Sequence, residues 1–169
     1  MGKNKYRFKG HESFILREGW LNKGLYEVDR NPKVFSENYG ADALGVGPNM
    51  AKAIRYWLRA AELVTDSPKT GVMLTAIGQL ILAHDPCVED YFTLWLIHCK
   101  IAKNRELATA WNLFFNEVSY EEFKKQQLYD EMETLLSDLD DEVQVAQSSV
   151  YADSVSYTHL RAHETAANL

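Results

Sequence analysis

The sequence predicts a mainly α-helical protein: a winged helix-turn-helix-like N-terminal part with a small β-hairpin, followed by an antiparallel helical extension. Three observations predict it. Apolar residues recur at helical spacing along most of the chain. A Gly-Val-Gly turn at 45–47 leads directly into Pro48, a residue suited to the first position of a helix because its missing N–H is not needed there. Two β-prone stretches, "ELVT" and "GVMLT", flank "DSPKTG", whose Pro and Gly favour a turn.

Taken in order, the first helix is expected within "HESFILREGWLNKGLYEVDRNP". Phe14, Leu16, Trp20, Leu21, Leu25 and Val28 form its stripe, and Pro32 stops it. A short helix follows around Lys33–Glu37 and another in "YGADALGV". The helix opened by Pro48 runs to about Ala61, the hairpin comes next, and "LTAIGQLILAH" is helical. Beyond "DPCVED", one stripe contains Tyr91, Leu94, Trp95, His98, Ile101 and Ala102, and a second contains Leu107, Trp111, Phe114, Phe115 and Val118. "KNRE" connects the two helices, and Trp95 and Trp111 are expected to face each other. Ser119 and Glu122 read as a capping box for a third helix, with the stripe Leu128, Met132, Leu135, Leu136 and Leu139. The expected organisation is therefore 1–84, a winged-helix-like domain with an N-terminal helix; 85–142, the helical extension; and 143–154, the start of a truncated further unit.

The tail "VSYTHLRAHETAANL" is set apart. His159 and His163 have the i, i+4 spacing of two metal ligands on one helix face. A more specific reading is available, because Val155–Thr165 resembles the translation of a transposon-based sequencing adapter, and Asn168 and Leu169 fit its continuation. Residues 155–169 are accordingly expected to be an assembly artefact, disordered, at the end of an N-terminal fragment.

Composition narrows the function classes. With 46% hydrophobic residues in 169, the chain can bury a core. No apolar run approaches the ~20 residues of a membrane span, and "MGKNKYRFKG" lacks the apolar stretch of a signal peptide. Cys87 and Cys99 read as reduced thiols of a cytoplasmic protein; they lack the paired spacing of a zinc site, and no metal or other cofactor is expected. "DLDDE" (138–142) lacks the ligand spacing of a calcium loop, and no phosphate loop, dinucleotide fingerprint or nucleophile elbow is present. The net charge of -6 divides unevenly, with +5 in residues 1–60 and -11 in residues 61–169. An acidic total therefore does not exclude a polyanion partner for the first third.

The lead is the helix after Pro48. At 100° per residue, with Met50 at 0°, Ile54, Trp57, Leu58 and Ala61 fall on one side, whereas Lys52, Arg55 and Arg59 lie near 140–200°. Asn49 and Tyr56 flank the cations, and no acid lies between Asp42 and Glu62. A recognition helix needs such a division, one face for the core and one for phosphates and base edges. The DNA-binding candidates are Asn49, Lys52, Arg55, Tyr56 and Arg59, with Lys69 in the hairpin turn; the cations are expected to be exposed. The bland alternative is a solvated face. A second candidate is a polar site of His11, Glu12 and Arg17, since a histidine is readily tuned for acid–base work. Adjacent residues point in different directions, so a polar entry to the first helix is the favoured explanation. His98, on an apolar stripe, reads as a core histidine.

The stretches "FKGHESFILREGWLNKG", "LGVGPNMAKAIRYWLRAAELV", "LTAIGQLIL", "DPCVEDYFTLWLIHCKIA" and "ATAWNLFFNE" resemble the bacterial family catalogued as domain of unknown function 4007. The resemblance covers most of residues 6–118 in order. It departs at Cys87, where relatives are expected to carry an aromatic residue, and the family is longer than this chain. The motif positions that match are Gly10, His11, Glu12, Arg17, Trp20, Gly45, Gly47, Asn49, Lys52, Arg55 and Trp57. The resemblance implies a setting in bacterial DNA sulfur-modification and phage-defence operons. The expectation is a DNA-binding module without a membrane or small-molecule cofactor, whose partners are DNA and other defence subunits. The alternatives are a DNA-nicking nuclease with an incomplete active site here, and a winged-helix protein-interaction module.

Overall fold

The computed structural model describes residues 10–12, 14–118 and 125–139. Its elements are α1 (Trp20–Arg30), two single 3-10 turns (Val34–Ser36 and Asn38–Gly40), α2 (Ala41–Leu44), α3 (Pro48–Ala60), β1 (Val64–Ser67), β2 (Gly71–Leu74), α4 (Ala76–His84), α5 (Tyr91–Lys103), α6 (Thr109–Asn116) and α7 (Lys125–Leu139). The architecture is mainly helical with one small antiparallel hairpin, as the periodicity and turn signals predict. No helix among the described residues is long and apolar enough to cross a membrane.

Gly10–Ile101 forms one compact unit, and α3 is its centre. Ala51, Ala53, Ile54, Tyr56, Trp57, Leu58 and Ala60 are all buried, so this helix is enclosed on most sides. α1 buries Trp20, Leu21, Leu25 and Val28 and crosses α3 at Gly24. A Cβ at Gly24 would lie 2.6 Å from Leu58 Cδ1 and 3.0 Å from Ile54 Cγ2, so only a hydrogen fits at the crossing. The helix begins at Trp20, later than the stripe from Phe14 suggests. Gly19 adopts φ 78°, a left-handed conformation that ends any upstream helix, and the Phe14 carbonyl is taken by the Trp57 indole N–H at 3.2 Å.

The hairpin pairs Val64 with Leu74, Thr65 with Met73, Asp66 with Val72 and Ser67 with Gly71. Gly71, at φ 98°, lets β2 approach Pro32 closely, and the Val72 N–H donates to the Pro32 carbonyl at 2.8 Å. Thr75 then caps α4. Its Oγ1 accepts from the Gly78 N–H at 3.1 Å and donates to the Glu62 carbonyl at 2.8 Å.

Asp85 and Asp90 organise the loop into α5. Asp85 accepts from the Glu89 and Asp90 N–H groups, and Asp90 accepts from those of Phe92 and Thr93, capping the helix. The expected apolar stripe is the buried face of α5 only at its end, where Ile101 and Ala102 are buried. Tyr91, Phe92, Leu94 and Trp95 are exposed, with Trp95 at 60%, while Thr93, Ile97 and Ile101 are buried. Trp95 is thus no member of a buried tryptophan pair. Its ring meets His98 edge-on at 5.7 Å, and His98 is only half-buried rather than a core histidine. The compact unit runs to Ile101, and within it Lys100 binds Glu62 at 2.7 Å.

The described residues from Ala102 belong to the second unit. Asn112 and Asn116 both donate to the Ala102 carbonyl, at 2.7 and 2.8 Å, and tie α6 to the chain at the end of α5. Trp111 and Phe114 are buried on α6, and Leu128, Met132 and Leu136 on α7, as their spacing predicts, and Leu113, which lies outside the expected stripe, is buried too. Phe115 is exposed. The capping box Ser119–Glu122, the unit at 143–154 and the tail at 155–169 lie outside the described residues.

Candidate nucleic-acid interface

Trp57 fixes the rotation of α3. It is 1% exposed, stacked on His11 with centroids 5.4 Å apart, and edge-on to Tyr56 at 5.1 Å. With that side inward, Lys52, Arg55 and Arg59 must lie together on the opposite side, since residues three and four apart are neighbours on a helix. Asn49 is exposed one turn before Lys52 and accepts from its ammonium at 3.4 Å. Lys69 is exposed in the hairpin turn.

The cations are not the open row that the wheel predicts. Their side chains are 32%, 37% and 35% exposed at positions 52, 55 and 59. Arg55 Nη2 lies 2.8 Å from Asp66 Oδ1, and Arg59 Nε lies 3.0 Å from Asp66 Oδ2. One carboxylate of β1 therefore bridges two guanidinium groups. Arg55 also sits over Phe35 at 5.7 Å. Lys52 lies 4.0 Å from Glu12 and 4.5 Å from the centre of the Tyr39 ring. Acids are absent from the helix itself but arrive from the hairpin and from the segment before α1.

Tyr56 corrects the expectation that it flanks the cations. It is 8% exposed and packs edge-on against His11 and Trp57, because α3 is buried over more of its circumference than a single apolar stripe implies. His11, Glu12 and Arg17 are likewise not gathered into one polar site. His11 is buried in the aromatic cluster, Glu12 turns outward towards Lys52, and Arg17 lies over Trp20 at 5.4 Å. Glu12 and Tyr39 both adopt left-handed backbone, at φ 52° and 56°, a strained choice for such residues. Asp66, Tyr39 and the buried Phe35 are the neighbours of these cations that the sequence reading missed, and Glu12, read there as part of a polar site, joins them. The one available signal is that Asp66 is the sole acid of the hairpin, placed where β1 returns past α3.

Among the described residues, no three His, Cys, Asp or Glu side chains stand together as a metal cage. The arrangement offers no nucleophile–base pair on this surface. It presents half-buried cations, an exposed amide and a lysine-tipped hairpin, which are groups for binding an anion.

Among proteins of curated function, none matches this chain. Two solved structures do. One is described as "Magnesium ion-bound SspB crystal structure", with a TM-score of 0.73 and 29% identity over 86% of this chain and 46% of that one. The other is described as "SspB crystal structure", with a TM-score of 0.76 and 26% identity over 92% of this chain and 50% of that one. The chain thus spans about half the length of these structures. The magnesium belongs to that relative. The family model of DUF4007, "Protein of unknown function", matches residues 8–165, a range that takes in the described fold and reaches into the tail set apart above. This chain belongs to the DUF4007 family.

Proposed function

We propose that the Gly10–Ile101 unit is a winged-helix DNA-binding module of a bacterial DNA-modification or phage-defence protein, and that its family setting is DNA phosphorothioation. One observation carries the reading. Trp57 is buried beneath α3, so Lys52, Arg55 and Arg59 share the opposite face, with Asn49 exposed at its start. The element order α1, α2, α3, hairpin supports it, since the second helix of such a motif enters the major groove while neighbouring elements hold the backbone. Lys69 suits a phosphate beside the groove. Asn49 and Arg55 are the base-edge candidates, an amide for adenine and a guanidinium for guanine. The SspB-like neighbours are consistent with a phosphorothioation setting.

The test is a salt titration of duplex binding by the wild type and by the combined variant Lys52→Ala, Arg55→Ala and Arg59→Ala. Each cation that no longer neutralises a phosphate should reduce the slope of log K against log salt by about 0.9. Melting curves establish that the variant is folded. Unchanged affinity and slope in a folded variant would leave the cations as a solvated face and defeat the reading.

A further inference from the structure

Asp66 is held in place by the hairpin rather than by the ligand surface it touches. Its residue pairs across the sheet with Val72, whose own N–H is fastened to the Pro32 carbonyl. The strand that bears Asp66 is thus paired with one that is itself fastened to the chain after α1, and the carboxylate can leave the arginines by turning its side chain. Each oxygen serves a different guanidinium, at 2.8 and 3.0 Å. A phosphate offers arginines the same kind of paired, anionic acceptor. The two arginines are spaced i, i+4 and would repel without an anion between them.

We propose that Asp66 is a built-in stand-in for a backbone phosphate, which a bound nucleic acid must displace to engage Arg55 and Arg59. This rests on the DNA-binding reading of α3. The displacement has a consequence for affinity. The counter-ions released on binding are those condensed on the nucleic acid. The displaced Asp66 carboxylate stays close to the bound phosphates, so the acid lowers the net charge that the face brings to them and part of the salt dependence with it. Counting Lys52, Arg55 and Arg59 against Glu12 and Asp66, the face carries a net charge of +1 in the closed state and +2 without Asp66. The acid thereby holds down attraction to any stray polyanion. It favours ligands whose phosphates reach both guanidiniums at once.

The experiment compares the full chain with Asp66→Asn, Asp66→Thr (a neutral residue suited to a strand), and Asp66→Asn combined with Arg55→Gln and Arg59→Gln. Binding to a short duplex is titrated against salt, and elution from heparin gives a polyanion readout independent of DNA. Both neutral variants should bind the duplex about three- to tenfold more tightly at low salt, with a slope steeper by about one unit, and elute later from heparin. The added arginine changes should erase the gain. A folded neutral variant with affinity, slope and heparin elution at or below wild type overturns the inference while leaving the DNA reading standing. Variants that do not fold at working temperature make Asp66 a structural tie and overturn it as well. Later heparin elution with no duplex binding by any form supports the stand-in for polyanions and defeats the DNA reading. If no form binds either probe, both fail.

Discussion

α3 and α5 are each 13 residues long and lie largely in the same compact unit, yet they end in opposite conditions. α3 has seven buried residues and shows the outside only its charged and amide side chains together with its first turn. α5 leaves Tyr91 79% and Phe92 76% exposed and buries a threonine. The difference lies in how many faces the sequence makes apolar. In "PNMAKAIRYWLRA" the large apolar groups fall on one side, so the hydrophobic effect selects a single rotation. In "YFTLWLIHCKIAK" they occur all round, and packing elsewhere decides: Ile97 and Ile101 go inside, and the Lys100–Glu62 pair helps hold that orientation.

The sharpest way to break this comparison is to truncate one tryptophan in each helix. Trp57→Ala removes a fully buried ring and its bond to the Phe14 carbonyl, and should cost ~3–5 kcal/mol in chemical denaturation. Trp95→Ala removes a ring that is mostly in water and should cost within ~0.5 kcal/mol. Equal losses would show that the exposed face of α5 is packed as firmly as the core.

A smaller effect is expected where α1 crosses α3. Gly24→Ala puts a methyl into Leu58 and Ile54 and should destabilise by ~1–3 kcal/mol, although alanine is the better helix former. A stabilised variant would show that the crossing has room to spare.

The smallest effect concerns the entry to α5. Burial of Asp85 pulls its pKa upward, but the Glu89 and Asp90 N–H groups, the Thr93 hydroxyl and the Val88 N–H outweigh it and hold the group below the usual aspartate value. A depressed folded pKa contributes stability above the unfolded value, which is lost as pH falls through the folded one. Asp85→Asn should therefore melt slightly below wild type at neutral pH, and the gap should close as pH falls below the ordinary aspartate range. A gap of constant size would mean that the charge on Asp85 contributes nothing.

Legibility followed locality. Pro48 and the hairpin turn act through neighbours in sequence, and both elements stand where their residues place them. The start of α1 was hidden because the stripe from Phe14 to Trp20 continues across Gly19, whose left-handed backbone breaks the helix without breaking the pattern. On the candidate interface, the side of α3 that bears the cations was legible from its wheel. Their ion partners were not. Asp66 is eleven residues from Arg55 and Glu12 is forty residues from Lys52, distances that only the folded chain closes.

The contact between Val72 and Pro32 has a consequence for self-association. A two-stranded sheet leaves outer amides that another chain's strand can pair with, which is the usual route to edge-to-edge aggregation. The outward Val72 amide is already occupied by Pro32. Proline has no N–H of its own and cannot extend the ladder further. At that position β2 is closed to a third strand, so a foreign strand would first have to pull the chain after α1 away from it.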